Sequence, residues 1–151
     1  MKKSHAKSVF LWFVAVCWTL LTLFLSAQPG GDTAETSGGI AKFFHWCLSL
    51  VGISVDYEFV HSALRTFAHV GVFFIMGLLI EAAALSVFHH TDEKKKSQWV
   101  LIGCVCLAIL FETIKIWIPG RHLDLGEIGL NILGVFLGVV IIGKRSVFTS
   151  K

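Results

Sequence analysis

The sequence predicts an all-α fold, a bundle of four transmembrane helices, and three observations carry that expectation. Of its 151 residues 55% are hydrophobic and 15% charged, against roughly 25% charged in an ordinary soluble domain. Four apolar stretches reach or approach the roughly 20 residues that cross a bilayer core. Lysine and arginine are divided unequally between alternate connecting segments, as they are in multi-pass membrane proteins.

The first stretch, 9–27, carries no charge. It follows Lys2, Lys3 and Lys7 and ends in Ser26-Ala27, which a signal peptide also does. It outruns the usual apolar region of such a peptide, about 7–15 residues, so it reads as an uncleaved helix stopped by Pro29-Gly30-Gly31. The second stretch, 67–88, contains only His69 and Glu81 as ionisable groups, and the third, 99–118, only Glu112 and Lys115. The fourth, 128–143, is uncharged but short. With its preceding turn and Glu127 it becomes a helix over about 125–143.

The connections are of two kinds. Between the first two helices, QPGGDTAETSGG is rich in glycine, serine and threonine and reads as flexible. In the following IAKFFHWCLSLVGISV, the polar Lys42, His45 and Ser49 recur at three and four residues among aromatic and aliphatic neighbours. That spacing predicts an amphipathic helix, lying at the outer interface or over the bundle, or else a short re-entrant segment. HHTDEKKKSQ, between the second and third helices, mixes both signs and reads as a solvated loop. Adjacent His89 and His90 point apart on a helix and have no third ligand nearby, so no metal site is expected. Cys17, Cys104 and Cys106 fall inside helices and Cys47 outside them. Their spacing makes neither a disulfide framework nor a zinc knuckle, and they read as small apolar fillers. No repeat divides the chain, so residues 1–151 form one domain.

With the N-terminus inside, the inner segments hold Lys2, Lys3, Lys7, Lys94, Lys95, Lys96, Lys144, Arg145 and Lys151, and the outer segments hold Lys42, Arg65 and Arg121. Nine against three places both termini in the cytoplasm. Depth then matters. Ionisable side chains cost about 2.5–3.5 kcal/mol at a helix centre and must face protein or water. On this orientation His69 lies in the first turn of the second helix, at the outer face, and Glu112 and Lys115 lie near the outer end of the third. Glu127 opens the fourth helix, Asn131 follows one turn deeper, and Gly134 and Gly138 continue the same face. The tight connection Pro119-Gly120-Arg121-His122 sets Arg121 and Asp124 at the mouth. Plainer readings stand beside this polar ring. Glu112 and Lys115 at i,i+3 are also a simple ion pair, or Lys115 extends its amine to the headgroups. Asn131 suits a helix-to-helix bond, the glycines suit packing, and the deeper Glu81 is protonated or faces inward.

The register Glu112, Lys115, Pro119, Arg121, Glu127, Asn131, Gly134 resembles the signature of the VanZ-like membrane proteins. Their pattern is Glu, Gln three residues on, Pro-x-Arg, Asp six after that Arg, Asn four beyond and Gly three beyond that. His69 with Gly77, and the SAQPG exit of the first helix, resemble the family's other blocks. The resemblance covers nearly the whole chain apart from the first outer loop. The chain departs from the pattern at Lys115, in place of Gln, and at Glu127, in place of Asp. The resemblance implies a bacterial cytoplasmic-membrane protein, in a family whose namesake is associated with resistance to teicoplanin, a lipoglycopeptide acting at the outer membrane face.

The leading expectation is a non-enzymatic envelope protein that binds a lipid-linked or amphiphilic ligand through His69, Glu112, Lys115, Arg121, Asp124, Glu127 and Asn131. Lys115 and Arg121 would contact phosphate or carboxylate, and Glu112 and Glu127 would orient them or accept hydrogen bonds. Its partners would be membrane lipid or a lipid-linked envelope precursor, with a homo-oligomer or other envelope proteins beside it, and no nucleic acid. The alternative is an intramembrane enzyme with Glu112 or Glu127 as general base and His69 as partner. The chain offers that alternative no recognisable nucleophile, phosphate loop or metal cluster, and no cofactor is expected. A small transporter ranks third, because four helices without a repeat are few for alternating access.

Overall fold

A computed structural model describes residues 2–87 and 93–149, which form five helices: α1 (Lys2–Ser26), α2 (Gly30–Leu50), α3 (Tyr57–Val87), α4 (Glu93–Ile114) and α5 (Leu125–Thr149). Helix makes up 87% of the protein and the described residues contain no strand. Of the five, α1, α3, α4 and α5 are long and apolar enough to cross a membrane, so this is a multi-pass membrane protein. Of the segment expected as a solvated loop, His89 and His90 lie outside the described residues, but 93–98 is the first part of α4 and not a loop, with Lys96 buried.

Helix ends differ from the sequence expectation in several places, α1 starting at Lys2, α4 at Glu93 and α5 running on to Thr149, and two differences are the largest. The second spanning helix begins at Tyr57, ten residues earlier than expected, because 57–66 continues as helix beyond the apolar run. Asp56 precedes this helix, its carbonyl accepts from Val60 N at 3.2 Å, and Glu58 sits in the first turn. Acidic residues suit the positive end of the helix dipole. His69 therefore lies three turns into α3 and not in its first turn. The second difference is at 30–39, expected as flexible, which is the first half of α2. Pro29, before its first residue, favours a helix start. Helix α2 is tied to the segment before α3 by His45, whose Nε2 donates to the Val55 carbonyl at 3.0 Å, and to α3 itself by Tyr57, whose hydroxyl donates to the mid-helix Gly38 carbonyl at 3.4 Å. Along α2, Ala41 is buried against the bundle while Phe43, Phe44, Trp46 and Leu50 are exposed. Such an aromatic outer face suits a membrane interface.

The core is held among α3, α4 and α5 by Phe73, Met76, Cys104, Ala108, Phe111, Val135 and Val139. Cys104 fills the interior as a small apolar residue, whereas Cys17 and Cys106 face outward; all four thiols are free. Helix α1 is pinned to α3 by two long-range bonds, Trp18 Nε1 to the Val72 carbonyl and Ser8 Oγ to the Ser86 carbonyl, each 3.0 Å.

The closest approach is between α3 and α5. A Cβ on Gly77 would stand 2.7 Å from the Val135 carbonyl oxygen, and one on Gly138 would stand 2.7 Å from Leu78 N and collide with the Phe74 carbonyl. Gly134 meets the backbone of Val70 and Phe74 in the same way. Small residues four apart allow helix backbones to touch where lipid provides no hydrophobic drive. This contact fixes the α3–α5 register on which the polar residues depend.

Candidate functional site

Helices α3 and α5 run in parallel and face each other across two polar rungs. Arg65 and His69 are one turn apart on α3, and Glu127 and Asn131 are one turn apart on α5. Arg65 Nε donates to Glu127 Oε1 at 2.8 Å, and its Nη2 also pairs with that oxygen. In the second rung His69 Nδ1 donates to Asn131 Oδ1 at 3.0 Å. His69 Nε2 also stands 3.4 Å from Glu127 Oε1, and would pair with it in the protonated imidazole.

The third participant comes from α4. Its last turn tightens to a 3₁₀ turn over Lys115–Trp117, followed by Ile118 in an extended conformation. The cause is Pro119, which disfavours the helical region for the residue before it. Gly120, at φ +74°, then takes the left-handed conformation that glycine adopts without strain, and the chain turns into α5. This geometry points Lys115 inward. Its Nζ donates to Glu112 at 2.5 Å and to Glu127 Oε2 at 2.6 Å. Lys115 is 2% exposed and Glu112 1%, so the amine does not extend to the headgroups.

Glu127 is the hub of this arrangement. One carboxylate oxygen takes Arg65 with His69 nearby, and the other takes Lys115. Two acids and two bases at one end of the bundle neutralise each other, which is what makes four charges tolerable at low water content. Arg65 alone opens outward, its side chain 57% exposed. The sequence reading missed Arg65, because ending the apolar run at 67 left it in a loop. Its signal was the i,i+4 spacing to His69.

The structure thus brings together His69, Glu112, Lys115, Glu127 and Asn131, and it uses Arg121 and Asp124 otherwise. Arg121 Nη1 donates to the Gln28 carbonyl at 3.2 Å, tying the turn before α5 to the end of α1. Asp124 caps α5: its Oδ1 accepts from Gly126 N at 2.7 Å and Glu127 N at 3.4 Å. Replacing Asp124 with alanine is expected to lower stability by about 1 kcal/mol, the usual loss at an N-cap. The check is a thermal melt in detergent, and an unchanged midpoint would contradict the assignment. Glu81 lies deeper, on the far side of the core from this cluster. It is fully buried and accepts from Ser97 Oγ at 2.5 Å.

Among the described residues no group of three histidine, cysteine, aspartate or glutamate side chains is arranged to hold a metal ion. The arrangement is an ion network in which Arg65 is the one member open to its surroundings. The family model described as VanZ/LLP1 matches residues 10–147. Neither a curated protein nor a solved structure matches the chain.

Proposed function

The chain belongs to the VanZ/LLP1 family, and from that premise we propose that it binds an amphiphilic or lipid-linked envelope ligand at the outer membrane face, through the network centred on Glu127. The observation that carries this reading is Arg65, a half-exposed guanidinium held by a carboxylate that a buried lysine already fixes. An incoming phosphate or carboxylate competes with Glu127 for Arg65 and needs no new cation to be desolvated. Glu112 keeps Lys115 neutralised while Arg65 is shared. His69 and Asn131 hold the neighbouring rung, so Glu127 does not swing away. The exposed aromatic residues of α2 lie beside the start of α3 and give the ligand's apolar part a place in the interface.

In a glycopeptide-resistance role the ligand is a lipoglycopeptide, which carries both an acyl chain and an ionised carboxylate. The test titrates fluorescent teicoplanin onto the protein in nanodiscs and measures teicoplanin susceptibility of cells with and without it. Arg65→Gln is expected to weaken binding roughly tenfold or more. A charge-assisted hydrogen bond contributes about 1.5–3 kcal/mol, and 1.4 kcal/mol is a factor of about ten. Unchanged binding in Arg65→Gln would remove the site, and unchanged susceptibility with normal expression would remove the resistance role.

A further inference from the structure

A second feature lies away from the ion network, in the groove where α1 diverges from α4. Its volume is about 480 Å³, within the roughly 300–1,000 Å³ of ligand-sized pockets. Trp12, Val16 and Leu20 of α1, Ile80 of α3, and Trp99 and Gly103 of α4 are among the residues of its wall. Every residue that lines it belongs to a spanning segment, so its mouth opens on lipid and not on water. The one hydroxyl in the wall, on Thr19, donates to the Ala15 carbonyl of its own helix at 2.8 Å. A sugar, a peptide or a headgroup would find almost nothing to hydrogen-bond and would lose its hydration. A hydrocarbon chain would lose nothing.

The sequence builds this space deliberately. The two bonds from Ser8 and Trp18 draw α1 towards α3, and on α4 the facing position is Gly103, where a Cβ would meet nothing within 4 Å. One end of the groove is marked by Trp12 and Trp99, near the first turns of α1 and α4. One turn further along α4, on the face of Trp99, comes the exposed Lys95, while Lys96 beside it is buried. His5, two turns before Trp12 on the same face of α1, is exposed at the same end. Tryptophan at the boundary with lysine beyond it is the arrangement of side chains that meets lipid headgroups, and lysines there favour anionic ones.

We propose that this groove is a lipid site that holds one acyl chain of an anionic phospholipid, with the phosphate seated over the exposed Lys95. The apolar wall selects the chain and Lys95 selects the head. The site is independent of the ligand reading given above for the opposite end of the bundle.

The test is native mass spectrometry of the full chain released from nanodiscs containing equal phosphatidylglycerol and phosphatidylcholine. One phosphatidylglycerol per chain is expected, preferred over phosphatidylcholine by roughly fivefold, on the scale of about 1 kcal/mol for one lysine near a membrane surface. Gly103→Leu places a side chain in the groove, where there is room, and replaces a poor helix former by a good one; it is expected to abolish retention while the protein still folds. Lys95→Gln is expected to erase the preference but leave a bound lipid. Arg65→Gln, at the other end, should retain the lipid normally. Absence of any retained lipid, or equal retention by Gly103→Leu, would overturn the proposal. So would equal retention of phosphatidylcholine by the unaltered protein, or a second copy of the chain in place of lipid.

Discussion

Replacing Lys115 with methionine is expected to destabilise the protein by about 3–5 kcal/mol, the range for removing one member of a buried ion pair. The ammonium sits 2.5 Å from Glu112 and 2.6 Å from Glu127, and methionine keeps an unbranched side chain one atom shorter while deleting its charge. Two carboxylates would then face each other with little water and only Arg65 left to offset them. Adding Glu112→Gln removes one of the stranded charges and should recover part of the loss, whereas independent sites would make the two losses add. Lys115→Gln is expected to fall between, because an amide can still donate to one carboxylate. Denaturant titration in detergent, followed by tryptophan fluorescence, reads all three. A midpoint for Lys115→Met equal to that of the unaltered protein would show that the network does not hold the bundle.

Gly138→Leu is expected to cost at least about 1–3 kcal/mol, the range for overpacking a filled interior, and to disturb ligand binding from a distance. The obstacle is backbone and not a side chain that can turn aside: the Phe74 carbonyl and Leu78 N stand where the new carbon would go. Eleven residues separate Gly138 from Glu127, about 16 Å along a helix at 1.5 Å per residue. The effect nevertheless reaches the site, because Arg65 and His69 stand on one of the separated helices and Glu127 and Asn131 on the other. Gly138→Ala should show the same effect in smaller measure. Gly103→Leu, a substitution into open space, is the control for adding a leucine to a spanning helix. Equal melting temperatures for the two leucine variants would contradict the close α3–α5 crossing.

The spans were legible because lipid leaves helices few alternatives: a charge-free run of about 20 residues has one economical conformation there. The site was legible where depth alone determined it. Glu112, Lys115 and Asn131 each carry a polar group where hydrocarbon would surround it, so each had to find protein. Arg65 carried no such signal, since a guanidinium outside an apolar run is unremarkable until the helix is known to continue through it. Arg121 and Asp124 show the converse. Both stand beside the network in sequence, yet the helix start at Leu125 takes Asp124 for its free N–H groups, and the end of α1 takes Arg121. Sequence proximity could not decide between capping, bracing and ligand contact, because those uses differ only in direction. The two positions that depart from the resembled pattern, Lys115 and Glu127, turn out to be bonded to each other. Neither departure can be judged alone.

That network also settles how the cluster responds to membrane voltage. A lone charge carried across the whole bilayer exchanges about 2.3 kcal/mol of electrical work per 100 mV. Arg65, Lys115, Glu112 and Glu127 sum to zero formal charge and are joined at one level of the bundle, so the field pulls on them in opposing directions and does almost no net work. The cluster keeps its shape whether the membrane is energised or not, and a substitution that unbalances it by one charge would couple it to the potential.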